Sequence, residues 1–236
     1  MTGLELRDVV KHYDAGELVR AVDGVSLQVA GGEVVALCGP SGSGKSTLLR
    51  TAAGIELPDS GAVLLDGRDL GGLSVRERTL LLRREIGLIP QRDSLVDGYR
   101  ALANVAVRLR AGGMPRAAAN ECATDWLERM GLGGRAKHYP SQLSGGERQR
   151  IAIARALATE PRLILADEPT SNLDRRRSAA IVRLLADSAH EHGAAVVIVT
   201  HDERIEALVD RVERLEDGRL TAERQPAVRS AERASR

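Results

Sequence analysis

Residues 39–46 form a glycine-rich loop with the sequence GPSGSGKS. The loop follows the apolar run at 34–38 and precedes a helix-forming run, so it has a strand–loop–helix context. Its glycines allow a tight turn that brings successive N–H groups to an anion, and the helix adds the positive end of its dipole. Lys45 can then meet the β and γ phosphates of a nucleotide, and the Ser46 hydroxyl can bind Mg²⁺. A plain glycine-rich turn is the alternative, but it does not account for this context.

Lysine usage supports the same interpretation. The chain has three lysines, Lys11, Lys45 and Lys137, among 34 lysines and arginines together. One of the three stands in the loop, where a compact ammonium suits the phosphates and an arginine would not. The residues predicted to bind the phosphates and the Mg²⁺ ion from this part of the chain are Gly39, Pro40, Ser41, Gly42, Ser43, Gly44, Lys45, Ser46 and Thr47.

Length and composition limit the class of protein. A chain of 236 residues suits one large α/β domain, or a core domain with a small inserted subdomain. The net charge of +1 argues against wrapping nucleic acid or lying on an anionic membrane. The chain contains neither an uncharged apolar run of roughly 20 residues nor a basic-then-apolar N-terminal signal, so we expect a soluble, cytoplasmic protein. Cys38 and Cys122 have no metal-like spacing and are expected to be reduced packing residues.

Hydrophobic patterns predict the order of the elements. Alternation at 4–13 and 18–30 predicts half-buried antiparallel strands. Continuous apolar runs at 163–166 and 194–200, like that before the loop, predict a parallel sheet with sites at the carboxyl ends of its strands. Further predicted elements are a strand at 86–90, helices at 46–53, 74–84, 147–159 and 175–192, and a frayed tail at 225–236. A helical insertion is predicted at about 92–140. Its aromatic residues Tyr99, Trp126 and Tyr139 are expected to pack inside the insertion.

Two acids follow a buried strand, Asp167 and Glu168. Acids are ordinary at the start of a loop, but behind a phosphate loop this pair suits two remaining needs of a nucleotide site. Asp167 can hold the Mg²⁺ shell through water, and Glu168 can orient and activate the water that attacks the γ-phosphate. The pair therefore predicts nucleotide hydrolysis as well as binding.

The run LSGGE at 143–147 resembles the signature motif of the ATP-binding cassette (ABC) ATPases. The remaining motifs of that family occur in the same order and cover nearly the whole chain: Tyr13, Gln91, Asp167 with Glu168, the run at 171–174, and His201. The resemblance implies ATP and Mg²⁺ as cofactors and an α/β P-loop NTPase (RecA-like) core with a mainly parallel sheet. It also implies an N-terminal antiparallel β subdomain and an inserted α-helical subdomain. One ABC domain would then span 1–224, with its core at 1–91 and 141–224.

In that family the resemblance implies a head-to-tail dimer. Each ATP would lie between the loop of one subunit and Ser144, Gly145 and Gly146 of the other. These three residues also look like a second helix N-terminus with glycines that permit close approach, so they can bind a γ-phosphate much as the loop does. A simple helix cap would leave the two adjacent glycines unexplained.

Three single residues receive roles from the resemblance. Tyr13 would stack on adenine, with an exposed strand-end tyrosine as the alternative. Gln91 would contact Mg²⁺ and the attacking water, with an ordinary loop glutamine as the alternative. His201 would contact the γ-phosphate and hold Glu168 and its water in register, with an ordinary strand-end histidine as the alternative. The catalytic residues are thus predicted to be Glu168, His201 and Lys45, and the metal ligands Ser46, Gln91 and Asp167.

Short phrases at 53–55, 59–61, 85–87 and 138–142 resemble the lipoprotein-release and macrolide-export subgroup. We therefore predict an ATPase subunit that drives a separate integral membrane permease, as a homodimer or with a similar ATPase, at the inner face of the cell membrane and without nucleic acid. The segment 93–99 departs from that subgroup, because it lacks the usual aromatic and proline residues. Glu147 stands where many members have glutamine, and Asn172 where alanine or glycine is frequent.

Two other classes remain open. One is a regulatory ABC ATPase coupled to a permease-like protein that controls a cell-wall hydrolase without transport. The other is a soluble ABC ATPase of DNA maintenance, against which the absence of long heptads, zinc-type cysteines and a basic stripe counts. The sequence indicates neither the transported substrate nor the direction of transport.

Overall fold

The computed structural model describes residues 3–14, 16–91, 94–171 and 173–224. The tail expected at 225–236 and Asn172 lie outside these residues. The described strands form two sheets. The strands are β1 (Gly3–Asp14), β2 (Leu18–Ala30), β3 (Val34–Cys38), β4 (Ser60–Leu65), β5 (Arg68–Asp69), β6 (Ile86–Ile89), β7 (Leu163–Asp167), β8 (Ala195–Val199), β9 (Arg211–Glu216) and β10 (Arg219–Arg224). The α-helices are α1 (Lys45–Ala52), α2 (Val75–Arg84), α3 (Ala101–Ala111), α4 (Arg116–Arg129), α5 (Gly145–Leu157) and α6 (Arg175–His192).

The first sheet has the order β2-β1-β4-β5 and is antiparallel. Leu4 lies opposite Val29 and Leu6 opposite Leu27, and all four side chains are buried. The alternation seen in the sequence therefore places one face of this sheet against the core, which confirms the predicted N-terminal antiparallel β subdomain.

The second sheet has the order β10-β9-β3-β8-β7-β6, and its strands from β9 to β6 run parallel. Every residue of β3 and β8 is buried, as their unbroken apolar sequences require of strands covered on both faces. In the register of this sheet Val199 lies beside both Leu37 and Asp167. The carboxyl ends of β3, β7 and β8 therefore meet at one edge, where the glycine-rich loop also begins.

The edge hairpin of β9 and β10 was not among the predicted strands. Its turn holds Asp217 at φ 47° and Gly218 at φ 77°. Such a pair of left-handed residues is typical of a two-residue hairpin, and an Asp-Gly pair between alternating apolar residues is the sequence signal for it. The charged residues interleaved in these strands obscured that signal.

Helices α3 and α4 form the predicted insertion and pack against α5. Val105, Trp126 and Leu127 belong to one apolar cluster that continues through α5 to α6 and the second sheet. Trp126 is buried as expected, but Tyr99 and Tyr139 are 44% and 39% exposed, so the expectation that they pack inside the insertion was wrong. The division of the chain near 91 and 141 remains a prediction.

A half-buried arginine of α3, Arg108, contacts the end of α2 and the start of β6. The Arg108 guanidinium donates hydrogen bonds to the carbonyls of Leu82, at 2.8 Å, and of Ile86. Burial, with a smaller contribution from the charge of Arg155, lowers the pKa of Arg108 to about 10. One carbonyl in the last turn of α2 and one at the start of β6 thus accept hydrogen bonds from the insertion.

Candidate active site

The glycine-rich loop connects β3 to α1, and its lysine folds back over it. Nζ of Lys45 donates to the carbonyl oxygens of Gly39 (2.9 Å) and Pro40 (2.6 Å) and lies 3.2 Å from Oγ of Ser43. The lysine is only 9% exposed. Its ammonium is therefore held within the loop, where the phosphates of a bound nucleotide would meet it.

Gly44 shows why this loop needs glycine. It precedes α1 with φ 101°, and a Cβ added there would lie 1.8 Å from the carbonyl oxygen of Ala21 in β2. The loop thus packs directly on the backbone of the antiparallel sheet. The first N–H groups of α1 have no carbonyl partner inside their own helix. They face the space in front of the N-terminus of α1.

Asp167 is the last residue of β7, and Glu168 directly follows it. Oδ1 of Asp167 is buried and has no hydrogen-bond partner among the described residues. The Glu168 N–H donates to the carbonyl of Val199 at 2.9 Å, and the residue has a φ of 48°, which is uncommon without glycine. An unpaired buried carboxylate oxygen beside the loop fits a cation with oxygen ligands.

His201 follows β8 and contacts Glu168. Its Nδ1 lies 2.7 Å from Oε1 of Glu168. The Glu168 side chain is 10% exposed, whereas that of His201 is 74% exposed. The imidazole therefore covers the carboxylate from the solvent side and leaves the other oxygen available to the cleft.

One cleft of about 560 Å³ collects most of the predicted nucleotide residues. It is lined by Tyr13, Gly39, Ser41, Gly42, Gly44, Lys45, Ser46, Thr47, Gln91, Asp167, Glu168 and His201, and by Val19, Ala21 and Val199, which the sequence reasoning did not identify. Pro40 and Ser43 face Lys45 from within the loop instead. The strand pattern could have revealed Val19, because it lies opposite Tyr13 in the β1–β2 pair.

Tyr13 lines this cleft beside Val19. Its hydroxyl bonds to Glu56, and the ammonium of Lys11 lies 5.8 Å from the centre of its ring. These contacts hold the ring at a defined orientation beside Val19, which is 49% exposed. The pair offers a small apolar surface of the kind on which a nucleobase stacks.

The signature run begins α5 and is absent from the residues that line this cleft. Ser144 caps the helix by accepting from the N–H of Glu147 (3.3 Å), and the Glu147 carboxylate accepts from the N–H of Ser144 (2.8 Å). Hydrogen bonds from the Ser144 backbone and side chain, followed by that from Arg135, lower the pKa of Glu147 from its ordinary value near 4.5 to about 2. Ser144 is exposed at this helix start, and Gly145 and Gly146 are partly exposed.

A phosphate loop between β3 and α1, with an acidic pair at the end of a parallel strand, defines a P-loop nucleoside triphosphatase. The sequence profile of the ABC transporter family matches residues 22–171. The chain belongs to this family and is the ATP-binding and ATP-hydrolysing subunit of an ABC transporter.

Individual relatives cover almost the whole chain. The lipoprotein-releasing system ATP-binding protein LolD 2 of Caulobacter vibrioides is 47% identical over 223 residues, which are 94% of this chain and 97% of that protein. LolD of Hyphomonas neptunium is 45% identical over 90% of this chain and 93% of that protein. The dimeric ATP-binding cassette MJ0796 bound to ADP and Pi superposes with a TM-score of 0.90 at 37% identity, over 94% of this chain and 98% of that one.

Proposed function

We propose that this chain is the ATPase subunit of a lipoprotein-releasing transport system. The observation that carries the ATPase chemistry is the single cleft in which Lys45, Asp167 and Glu168 converge. The lipoprotein substrate is proposed because both LolD proteins are aligned over nearly their full lengths. The short phrases typical of the lipoprotein-release subgroup are consistent with this assignment.

Within the cleft each group has a distinct task. Lys45 and the loop N–H groups bind the phosphates, and Glu168 takes a proton from the attacking water. His201, through its hydrogen bond to Oε1 of Glu168, keeps the carboxylate aimed at that water. Asp167 ends strand β7 and Glu168 directly follows it. Because this strand is rigid, both carboxylates are positioned before ATP binds.

The oxygen donors of the cleft fit Mg²⁺. We propose that the hydroxyl of Ser46, the amide oxygen of Gln91 and the unpaired Oδ1 of Asp167 hold the ion directly or through water. When bound, Mg²⁺ neutralises charge on the β and γ phosphates and orients them.

A second copy of the chain would complete each site. Ser144, Gly145 and Gly146 do not line the cleft of their own chain, although their helix N-terminus suits a γ-phosphate. In a head-to-tail pair the run from one subunit would close the cleft of the other. The dimeric MJ0796 cassette supports this arrangement.

We further propose that the dimer works at the cytoplasmic face of a membrane against a separate permease. In the part of the chain that the structure describes, no helix has both the length and the apolar character to cross a bilayer. The segment after Gln91 would receive the permease, since Val96 and Tyr99 are each 44% exposed there. Buried Asn104 holds this segment by accepting from the N–H of Val96 at 2.8 Å and donating to the carbonyl of Tyr99 at 2.9 Å.

Purification from native membranes tests this proposal. A tagged chain should retain an integral membrane permease, and the complex in vesicles should release lipoprotein on addition of Mg-ATP. The same complex with Glu168→Gln should assemble but release none. Retention of a permease-like protein bound to a cell-wall hydrolase, without release of lipoprotein, would favour the regulatory class instead.

A further inference from the structure

A second cleft opens where the end of α4 meets α5 and α6, and it shares no lining residue with the nucleotide cleft. Its volume of about 570 Å³ is within the range of small-molecule sites, roughly 300–1,000 Å³. Met130 supplies an apolar wall. Four arginines surround the space, and we call it the arginine pocket: Arg129, Arg150, Arg177 and Arg183.

The charge of these arginines is only partly balanced. Asp187 is the one carboxylate among the described residues that line the pocket. Arg177 pairs with Asp174 at 3.2 Å, and Arg129 lies over the ring of Trp126 at 5.2 Å. Arg183 forms no ion pair with any other residue that the structure describes. A net positive charge therefore remains in a chain that is almost neutral overall.

Arg150 is the most constrained of the four. Its Nε is buried and has no hydrogen-bond partner in the described ranges, although the residue lines the pocket. Burial, followed by the charge of Arg177, lowers the pKa of Arg150, while Glu147 and Asp174 act weakly in the other direction. Both of these acids are already engaged, Glu147 with Arg135 and Asp174 with Arg177. Burying an unpaired guanidinium N–H is costly, and an anion in the pocket would relieve that cost.

We propose that the arginine pocket binds a small molecule that carries a phosphate group. One guanidinium group can donate two parallel hydrogen bonds to the oxygens of a phosphate. Several guanidinium groups around one space favour a doubly charged phosphate over a singly charged carboxylate. The apolar wall at Met130 suits a short aliphatic part, and none of the described residues that line the pocket is an aromatic on which a nucleobase could stack. A free phosphorylated metabolite and a phospholipid headgroup share this chemistry.

The position of the pocket gives such a ligand a structural consequence. Arg129 belongs to the helical insertion, whereas Arg177 and Arg183 belong to α6 of the core. Arg150 lies between them on α5, the helix that Ser144 caps. A phosphate held by arginines from all three helices would fix the insertion relative to the core.

Glycerol 3-phosphate is a suitable probe, because it combines a phosphate with a short aliphatic part. The full-length protein is first saturated with Mg-ADP, so that the phosphate loop is filled. Binding is then followed by calorimetry and by the fluorescence of Trp126, the single tryptophan of the chain, whose ring lies beside Arg129. We expect saturable binding at millimolar or lower concentration with a change in fluorescence.

Arg183 of the pocket and Arg76 of α2 are both exposed, so each can be replaced by glutamine without disturbing the fold. Arg183→Gln should weaken binding about tenfold or more, the effect of losing one charge-assisted hydrogen bond, and should leave ATP turnover unchanged. The control Arg76→Gln removes the same charge from the exposed surface of α2 and should leave binding unchanged. An absence of heat at millimolar probe, or equal weakening by both variants, would overturn the proposal.

A second experiment distinguishes a phospholipid headgroup from a soluble metabolite as the ligand. Vesicles of phosphatidylcholine with phosphatidic acid are compared with vesicles of phosphatidylcholine alone. Binding of the vesicles that also depends on Arg183 would assign the pocket to a lipid headgroup. Binding of glycerol 3-phosphate without vesicle binding would assign it to a soluble metabolite. Since binding of the probe or of the vesicles decides between these outcomes, and not ATP hydrolysis or lipoprotein release, they do not depend on the proposed function.

Discussion

Oε1 of Glu168 lies 2.7 Å from Nδ1 of His201, and the two residues follow the neighbouring strands β7 and β8. The Glu168 backbone, at φ 48°, is held from the other side by its N–H bond to Val199. A left-handed backbone at a non-glycine residue persists where surrounding contacts determine it, and such residues cluster at active sites. The carboxylate is thus fixed by both its backbone and its imidazole partner.

The substitution Glu168→Gln should remove the general base while preserving its shape. A positioned base contributes about 10²–10⁴-fold, so single-turnover hydrolysis should fall by that factor. ATP affinity should stay within a few-fold, because Lys45 and the loop are untouched. The control Glu121→Gln removes an exposed acid of α4 and should hydrolyse ATP like the wild type. Near-normal hydrolysis by Glu168→Gln would exclude this residue as the base.

His201→Ala should act through Glu168. Loss of a hydrogen bond to a charged group corresponds to about tenfold or more in rate, with a smaller effect on ATP affinity. In the double variant with Glu168→Gln, the alanine should add little, since the base that it orients is already missing. Fully additive losses would show that His201 acts independently of Glu168.

Asp167→Asn should separate stability from function. The buried Oδ1 has no partner among the described residues, so removing the charge should not lower the free energy of unfolding of the nucleotide-free protein. Affinity for ATP in the presence of Mg²⁺ should fall, whereas affinity without Mg²⁺ should change little. Urea unfolding and nucleotide titrations with and without Mg²⁺ measure both. Equal losses under the two titration conditions would contradict a metal role.

Gly44→Ala and Gly42→Ala distinguish close approach from backbone strain. Both glycines have positive φ, but a Cβ at Gly44 would clash with the Ala21 carbonyl, while at Gly42 it would meet open space. Gly42→Ala should cost roughly 1–2 kcal/mol for the left-handed backbone alone. Gly44→Ala should destabilise the protein more and abolish nucleotide binding. Similar effects of the two substitutions would show that the contact with β2 is unimportant.

Glu147→Gln should reveal the low pKa of the helix cap in a pH series. The folded state lowers the pKa of Glu147 from near 4.5 to about 2, so its ionised form stabilises the fold above about pH 4.5. This contribution is lost as the pH falls from there through about 2. The stability difference between wild type and Glu147→Gln, from urea unfolding, should therefore be constant near neutrality and shrink below pH 4.5. A difference that grows on acidification would contradict this assignment.

Motifs that act within a few consecutive residues were predictable. The phosphate loop, the helix start at Ser144, and the emergence of Asp167 from a buried strand depend on local backbone preference and hydrophobic pattern. The parallel sheet followed from continuous apolar runs, so the meeting of strand ends at one edge could also be expected. The β9–β10 hairpin was missed, because its charged residues hid a short alternation.

The sequence by itself was enough to predict the nucleotide chemistry, because the residues that we propose for it stand at close spacing: Lys45 in its loop and Glu168 beside Asp167. Tertiary structure alone decided how distant segments meet. It packed Gly44 against Ala21 and brought arginines of α4, α5 and α6 around one pocket. The contact of His201 with Glu168 and the position of Ser144 outside its own chain's cleft were expected only from the family resemblance. These relationships depend on how helices and strands pack across tens to hundreds of residues, and local preference does not specify that packing.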